Sequence, residues 1–316
     1  MTNKRRRARP SKRPGDRGAA TDTQRPVILV PLDGSHIASG VLPFARMLAT
    51  LLGTALHLIY VTRTPVNVES LHQELRLGSE DLTGLVLDQI GGDPVESILQ
   101  EVSTRACRLV VMSASGLTAH PERPLGHVAE ELLRRAPVSL VLVPRSAARR
   151  AADPRPLSRI LVPLDATPAT AAALTPVSEL IELSDAKLVL LHVVTAHDRD
   201  LTQAGSLPVP RYLDAPQHSW DAWTREFLHR FCGCLERPPE AFFVTVGDPG
   251  KEIVRAAREQ LPDLIVLVWK GDLGSERAKT VRTVLHDAPC PILFLRSLGF
   301  SASSPAASAP PAGERR

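Results

Sequence analysis

One eight-residue string is written twice in this chain: Ile28-Leu29-Val30-Pro31-Leu32-Asp33-Gly34-Ser35 returns as Ile160-Leu161-Val162-Pro163-Leu164-Asp165-Ala166-Thr167. Each copy is a continuous apolar run without polar alternation, which suits a parallel strand buried on both faces. Each run then breaks at a carboxylate followed by small or hydroxylated residues, the chemistry of a loop that ends on a helix cap. Asp33 and Asp165 therefore belong at the carboxyl ends of central strands, and in open α/β sheets that edge is where ligands bind.

The residues between the two strings repeat a second set of marks. In the first copy Val41, Leu42, Phe44, Ala45, Leu48 and Leu52 recur at helical spacing up to Gly53, and Leu56 to Val61 reads as a second strand. Residues Pro65 to Asp81 read as a weakly patterned helix or loop, and Leu85 to Ile90 as a third strand. Gly92-Asp93-Pro94 turns into a helix carrying Val95, Ile98, Leu99 and Val102, since proline fits the first helical turn. Leu109 to Met112 is strand four, Gly126 opens a last helix through Val128, Leu132 and Leu133, and Val138 to Val143 closes the half. In the second copy the same marks are Lys187 to Val194, Gly247-Asp248-Pro249, Leu264 to Trp269, and Ala288-Pro289 ahead of Ile292 to Leu295. His192 is matched with His57 as its counterpart, and both read as structural histidines inside apolar strands.

Strands alternating with helices, joined by right-handed crossovers, predict a doubly wound α/β fold of flavodoxin-like type in each copy. From the aspartate to the Gly-Asp-Pro turn there are 59 residues in the first copy and 82 in the second. The excess is assigned to the loop from Ala196 to Pro216 and a helix with Trp220, Trp223 and Phe227, a packing face more than a ligand cage. The expected organisation is a disordered basic tail at 1–25, a first domain at 26–145, a linker at 146–157, a second domain at 158–297 and a disordered end at 298–316.

Charge bears on partners only through the tail. Residues 1–25 hold nine Lys or Arg against Asp16 and Asp22, so the formal charge of +4 becomes −3 without them. A mobile basic arm can rest on nucleic acid through phosphate neutralisation. With no interleaved aromatics to stack bases, a solubilising extension is the reading preferred. No apolar run approaches the ~18 residues of a membrane span, and the N-terminus lacks the apolar core of a signal peptide, which implies a cytoplasmic protein without a membrane partner. Cys107, Cys232, Cys234 and Cys290 propose neither a disulfide framework nor a zinc site.

The strand ending Val-Pro-Leu-Asp-Gly-Ser, the Gly-Asp-Pro turn and the Ala-Pro-Cys-Pro-Ile of residues 288–292 resemble the universal stress protein family, here as a tandem member. That resemblance implies two flavodoxin-like (adenine nucleotide alpha hydrolase-like) domains, each a five-stranded parallel sheet with helices on both faces. Nucleotide-binding members show Gly-x2-Gly-x9-Gly-Ser/Thr after strand four, and the first copy reads Ser113-x2-Gly116-x9-Gly126-His127. The resemblance places ATP, with Mg, against Pro31, Asp33, Val61, Met112, Ser113, Gly116, Gly126, His127 and Val128. Glycines let backbone approach phosphate oxygens, amides at a helix N-terminus add a dipole-assisted anion site, and Arg123 adds charge. In the second copy Val268 stands at the first glycine's place and the loop holding Lys270, Gly271 and Gly274 is three residues shorter, so no nucleotide is expected there. Pairing of the last strands, Val138 to Val143 with Ile292 to Leu295, is expected to join the halves as an internal pseudo-dimer, and a homodimer of chains remains open.

No Walker lysine motif and no paired carboxylates appear, so no catalytic role is expected. The leading expectation is a stress-response protein that binds ATP through its first half and changes its contacts with a protein partner. A nucleotide-free interaction scaffold of the same fold is the alternative, and nucleic-acid association through the tail is a lesser one.

Overall fold

The computed structural model describes residues 26–62, 64, 66–75, 85–116, 124–195, 204–209, 216–269 and 276–296. The first half runs β1 (Val27–Leu32), α1 (His36–Ser39), α2 (Leu42–Leu51), β2 (Ala55–Thr62), α3 (Val68–Leu75), β3 (Val86–Gly91), α4 (Pro94–Thr104), β4 (Cys107–Ser113), α5 (His127–Arg135) and β5 (Ser139–Val143). A 3-10 turn at Arg145–Ala147 and α6 (Ala148–Ala152) lead into the second half. That half runs β6 (Arg159–Pro163), α7 (Pro168–Ala171), α8 (Leu174–Ser184), β7 (Lys187–Val194), α9 (Pro216–Phe231), β8 (Ala241–Val246), α10 (Pro249–Gln260), β9 (Leu264–Trp269), α11 (Glu276–Asp287) and β10 (Ile292–Arg296). The tandem doubly wound architecture stands as the repeat implies. Strand β8, implied by a five-stranded second domain, was not located in the sequence, because the long insertion before it hides its correspondence with β3.

All ten strands form one sheet in the order β3-β2-β1-β4-β5-β10-β9-β6-β7-β8. Pairing is parallel within each half, and β5 meets β10 antiparallel, with Leu140 opposite Phe294 and Leu142 opposite Ile292. The pseudo-dimer through the last strands is therefore built into the chain, and two apolar edges that would otherwise invite aggregation cover one another. Residues alternate between faces as strand geometry requires. Ile28 and Val30 face the layer of α2, α6, α8 and α9, while Leu29 faces that of α4, α5, α10 and α11, and all three are fully buried. Each such side chain contributes about 1.5–3 kcal/mol by leaving water.

The two Gly-Asp-Pro turns do the same job in both halves. Gly92 and Gly247 adopt positive φ (131° and 154°). Asp93 then accepts from the amides of Val95 and Glu96, Asp248 accepts from the amide of Lys251, and proline fills the first turn of α4 and α10.

The expected linker is folded. Ala147, Ala151 and Leu157 are buried in the same core as α2 and α8, and Asp263 at the start of β9 holds the segment. Its carboxylate accepts from the Ser158 amide (2.8 Å), the Ser158 hydroxyl (2.7 Å), the Arg159 amide (3.0 Å) and the Arg150 guanidinium. Alanine, rich here, is a strong helix former, and that outweighs the flexibility its flanking prolines suggest.

The halves also cap each other's helices across the seam. The last turn of α5 receives Trp269 Nε1 on Leu133 O (2.6 Å) and the Arg296 guanidinium on Leu133 O and Arg134 O (2.7 Å each). Reciprocally, the Ser146 hydroxyl donates to Ala288 O (2.7 Å) just past α11. These donors satisfy carbonyls that a helix end leaves without partners.

Strand register corrects one correspondence. Ile28 pairs with Leu56 and Ile160 with Leu188, so the counterpart of His57 is Val189, and that of His192 is Tyr60. The two histidines lie three positions apart in register and on opposite faces. His57 Nε2 meets Asp88 Oδ2 at 2.9 Å, and the same oxygen accepts from Arg105 at 2.9 Å. His192 places Nδ1 2.9 Å from Leu164 O and its ring 4.8 Å from that of Trp223. Trp223 and Phe227 of α9 pack with Phe242 of β8, with ring centroids 4.7–6.1 Å apart, so the insertion supplies core. The Trp220 side chain, both terminal tails, Arg123, Lys270, Gly271 and Gly274 lie outside the described residues.

Candidate functional site

In the order β3-β2-β1-β4-β5 the chain leaves β1 toward β2 and leaves β4 toward β5, so the strand order reverses between β1 and β4. The carboxyl ends of these two strands border a crevice of the kind in which open α/β sheets hold ligands. Asp33 follows β1 and Ser113 ends β4, so the two sequence marks meet there.

Asp33 begins an Asx turn: its Oδ1 accepts from the Ser35 amide at 2.9 Å, and Gly34 takes φ 78°. Ser35 then caps α1, its hydroxyl accepting from the Ala38 amide at 3.0 Å. The other oxygen, Oδ2, reaches across to the glycine loop. It fills the space a Cβ on residue 116 would need, and Cγ of Asp33 would lie 3.2 Å from that atom. Gly116 is thus the residue that admits Asp33 into the crevice. Here the side chain's approach, more than a special φ, favours glycine.

Gly126 is the N-cap of α5, with φ −77° and ψ 158°, a conformation open to any residue. A Cβ there would meet Ala114 O, Gly116 N and the Ser115 Cα at ordinary contact, 3.6 Å each. Ser115, Gly116 and Gly126 therefore form one patch of close backbone. The Gly126 amide donates to Ala114 O at 2.8 Å, which corrects the expectation that it faces an anion. His127 and Val128 supply first-turn amides without intrahelical acceptors, and His127 itself is exposed. Ser113 pairs with Val143 and is 5% exposed, and Met112 is buried beside it. Pro31 and Val61, each half-buried, stand near the ends of β1 and β2. The structure thus gathers Asp33, Ser113, Gly116, Gly126, His127 and Val128 around one crevice, with Pro31, Val61 and Met112 on its strand ends.

One residue of this region was missed from sequence. Arg145, two residues past β5, donates from Nε to the Ser115 hydroxyl at 3.2 Å. Its position inside an Ala/Arg-rich connecting segment gave no sign of that contact.

The second copy shows how far the arrangement has diverged. Asp165 Oδ1 accepts from the hydroxyls of Thr167 and Thr170 (2.5 Å each) and from the Thr167 amide (3.2 Å). Thr170 has no hydroxylated equivalent in the first copy's loop, where Ala38 takes the amide role. Ala166 adopts φ 57° where Gly34 stood, a conformation costing a β-carbon-bearing residue about 1–2 kcal/mol. Pairing of Ser113 with Val143 and of Val268 with Leu295 makes Val268 the equivalent of Ser113 and Trp269 that of Ala114. The indole of Trp269 replaces a methyl group, lies edge-on to Phe294 at 6.1 Å and is 3% exposed.

No group of three His, Cys, Asp or Glu placed to hold a metal occurs among the described residues. Burial pushes the thiols of Cys107 and Cys232 up to about 11, and that of Cys290 to about 12. Such thiols stay protonated and weakly nucleophilic. Among the described residues no helix is long and apolar enough to cross a membrane.

Fold and loop contacts together define a tandem doubly wound α/β protein in which Asp33 meets the glycine loop at the first switch point. The model of the universal stress protein family matches residues 69–144 and 156–296, so the chain belongs to that family. Among solved structures, a functionally unknown protein from Pseudomonas aeruginosa aligns with TM-score 0.58 and 18% identity, over 87% of this chain and 93% of its own. A universal stress protein from Archaeoglobus fulgidus aligns with TM-score 0.57 and 16% identity, over 86% of this chain and 98% of its own. Identities at this level show the fold. No curated protein matches the sequence.

Proposed function

We propose that this chain is a cytoplasmic stress-response protein that binds an adenine nucleotide, ATP with Mg, in the crevice of its first half and has no catalytic role. The observation that carries the reading is Asp33 seated on Gly116, beside the bare backbone of Gly126. A carboxylate beside close backbone at a helix N-terminus suits a base with an exocyclic amine and a phosphate chain. Asp33 would hold the base, Pro31, Val61 and Met112 its apolar sides, and the amides of His127 and Val128 the phosphates. The second half serves as partner domain, because Trp269 fills the level of Ala114.

The test is mass analysis of small molecules released on denaturing freshly purified protein, paired with calorimetric titration of the emptied protein with ATP. About one adenine nucleotide per chain is expected, as a single site requires. An empty protein that also ignores ATP would favour the scaffold reading, which draws on the engaged Gly126 amide and the Ser113 substitution.

A further inference from the structure

Arg145 stands out by what surrounds it. Its Nε donates to the Ser115 hydroxyl at 3.2 Å, and Ser115 is buried, 3% exposed, at the centre of the Ser115–Gly116–Gly126 backbone patch. Arg145 itself is exposed, and among the described residues no carboxylate pairs with it. Other arginines near the seam are engaged: Arg150 with Asp263, Arg135 with Glu96, and Arg296 with the carbonyls ending α5. A guanidinium has five N–H donors in a planar fork. One is used on Ser115, which leaves the edge formed by the two terminal nitrogens to a ligand. The backbone is fixed, because the next residue, Ser146, is tied across the seam to Ala288 O.

We propose that Arg145 is the phosphate-reading residue of the first crevice, donating its terminal nitrogens to the phosphate end of an adenine nucleotide so that the site prefers ATP to adenosine. The proposal rests on the nucleotide reading above. A fork held at one nitrogen and open at the others suits bidentate recognition of a phosphate. It supplies charge that Ser113 and His127, standing for a glycine and a hydroxyl residue, do not. Arg145 acts on the phosphate end through charge and fork together, while the base is assigned to Asp33.

Calorimetric titration of the full chain with ATP, AMP and adenosine, in wild type, Arg145→Gln and Arg145→Lys, tests this. Arg145→Gln is expected to weaken ATP binding by roughly tenfold or more, the effect of losing hydrogen bonds to a charged group, and to leave adenosine within about twofold. Arg145→Lys keeps the charge without the fork and should fall between. Melting curves should lie close together, because Arg145 is exposed and a single part-buried hydrogen bond is removed. If Arg145→Gln binds ATP as wild type does, or loses ATP and adenosine alike, the assignment of Arg145 is overturned while the site stands. If wild type binds none of the three, the nucleotide reading falls and this proposal with it.

Discussion

Asp33 and Gly116 interlock: the Oδ2 of Asp33 occupies the space that a Cβ on residue 116 would need. The aspartate comes from the first strand and the glycine from the loop after the fourth, so the contact joins the two sides of the switch point. Gly116→Ala must move either the loop or the carboxylate. We expect a loss of about 1–3 kcal/mol in stability from overpacking. ATP binding should weaken on the order of tenfold as Asp33 is displaced. Urea unfolding and calorimetry read the two effects separately. Gly126→Val is the companion test. The backbone angles at 126 accept any residue, so the cost, about 1–3 kcal/mol, comes from valine's methyls against the Ser115–Gly116 backbone, while a branched side chain over the first turn of α5 abolishes ATP binding. Unchanged affinity there would remove Gly126 from the site.

Asp263 fastens the connecting segment, and its loss should be felt in stability. Burial opposes its ionisation, but the hydroxyl and amide of Ser158, with Arg150 and the Arg159 amide, outweigh that and hold its carboxyl below the ordinary range. A carboxyl depressed in the folded state stabilises above the unfolded value of about 3.9 and loses that contribution as pH falls through the lower, folded value. Asp263→Asn is expected to cost roughly 2–3 kcal/mol at neutral pH, as hydrogen bonds to a charged group are lost, and to flatten the acid limb of a stability profile below pH about 4.

His57 gives a second pH signature with the same sign. Burial and the nearby Arg105 push its pKa below the ordinary value, against the opposing pull of Asp88. A histidine so depressed binds fewer protons folded than unfolded. Stability is therefore full above pH about 6.5 and declines as pH falls below it. Thermal melts of wild type between pH 7 and 5 should show this decline, and His57→Gln should reduce it.

The insertion helix can be tested as core. Phe227 is fully buried and packs against Trp223, Phe231 and Phe242. Phe227→Ala should cost about 3–5 kcal/mol, the usual range for emptying such a site. A denaturation midpoint close to wild type would show that α9 does not carry the second half's packing.

The strands other than β8, and their doubling, could be read from the sequence, because buried parallel strands announce themselves as unbroken apolar runs, while the joining of β5 to β10 came with the family resemblance. That same lack of alternation hid the register. Leu56 to Val61 and Lys187 to Val194 offer many equivalent alignments, and matching histidine with histidine chose the wrong one. Asp33 and the glycine loop were legible because a strand-ending carboxylate and widely spaced glycines leave a chemical mark. Arg145 left none, since its role depends on the hydroxyl of Ser115 thirty residues away. The helical form of the connection was hidden too: the donors on Asp263 come from residues on both sides of the connection, and only the folded second half brings them together.

The antiparallel meeting of β5 and β10 gives the molecule poles. Because strand direction inverts at that line, the first half's crevice opens at one end of the long sheet, and the corresponding edge of the second half, with Trp269, opens at the other. The two edges are thus turned away from each other, and what joins them is the paired backbone of β5 and β10 and the helix ends capped across it.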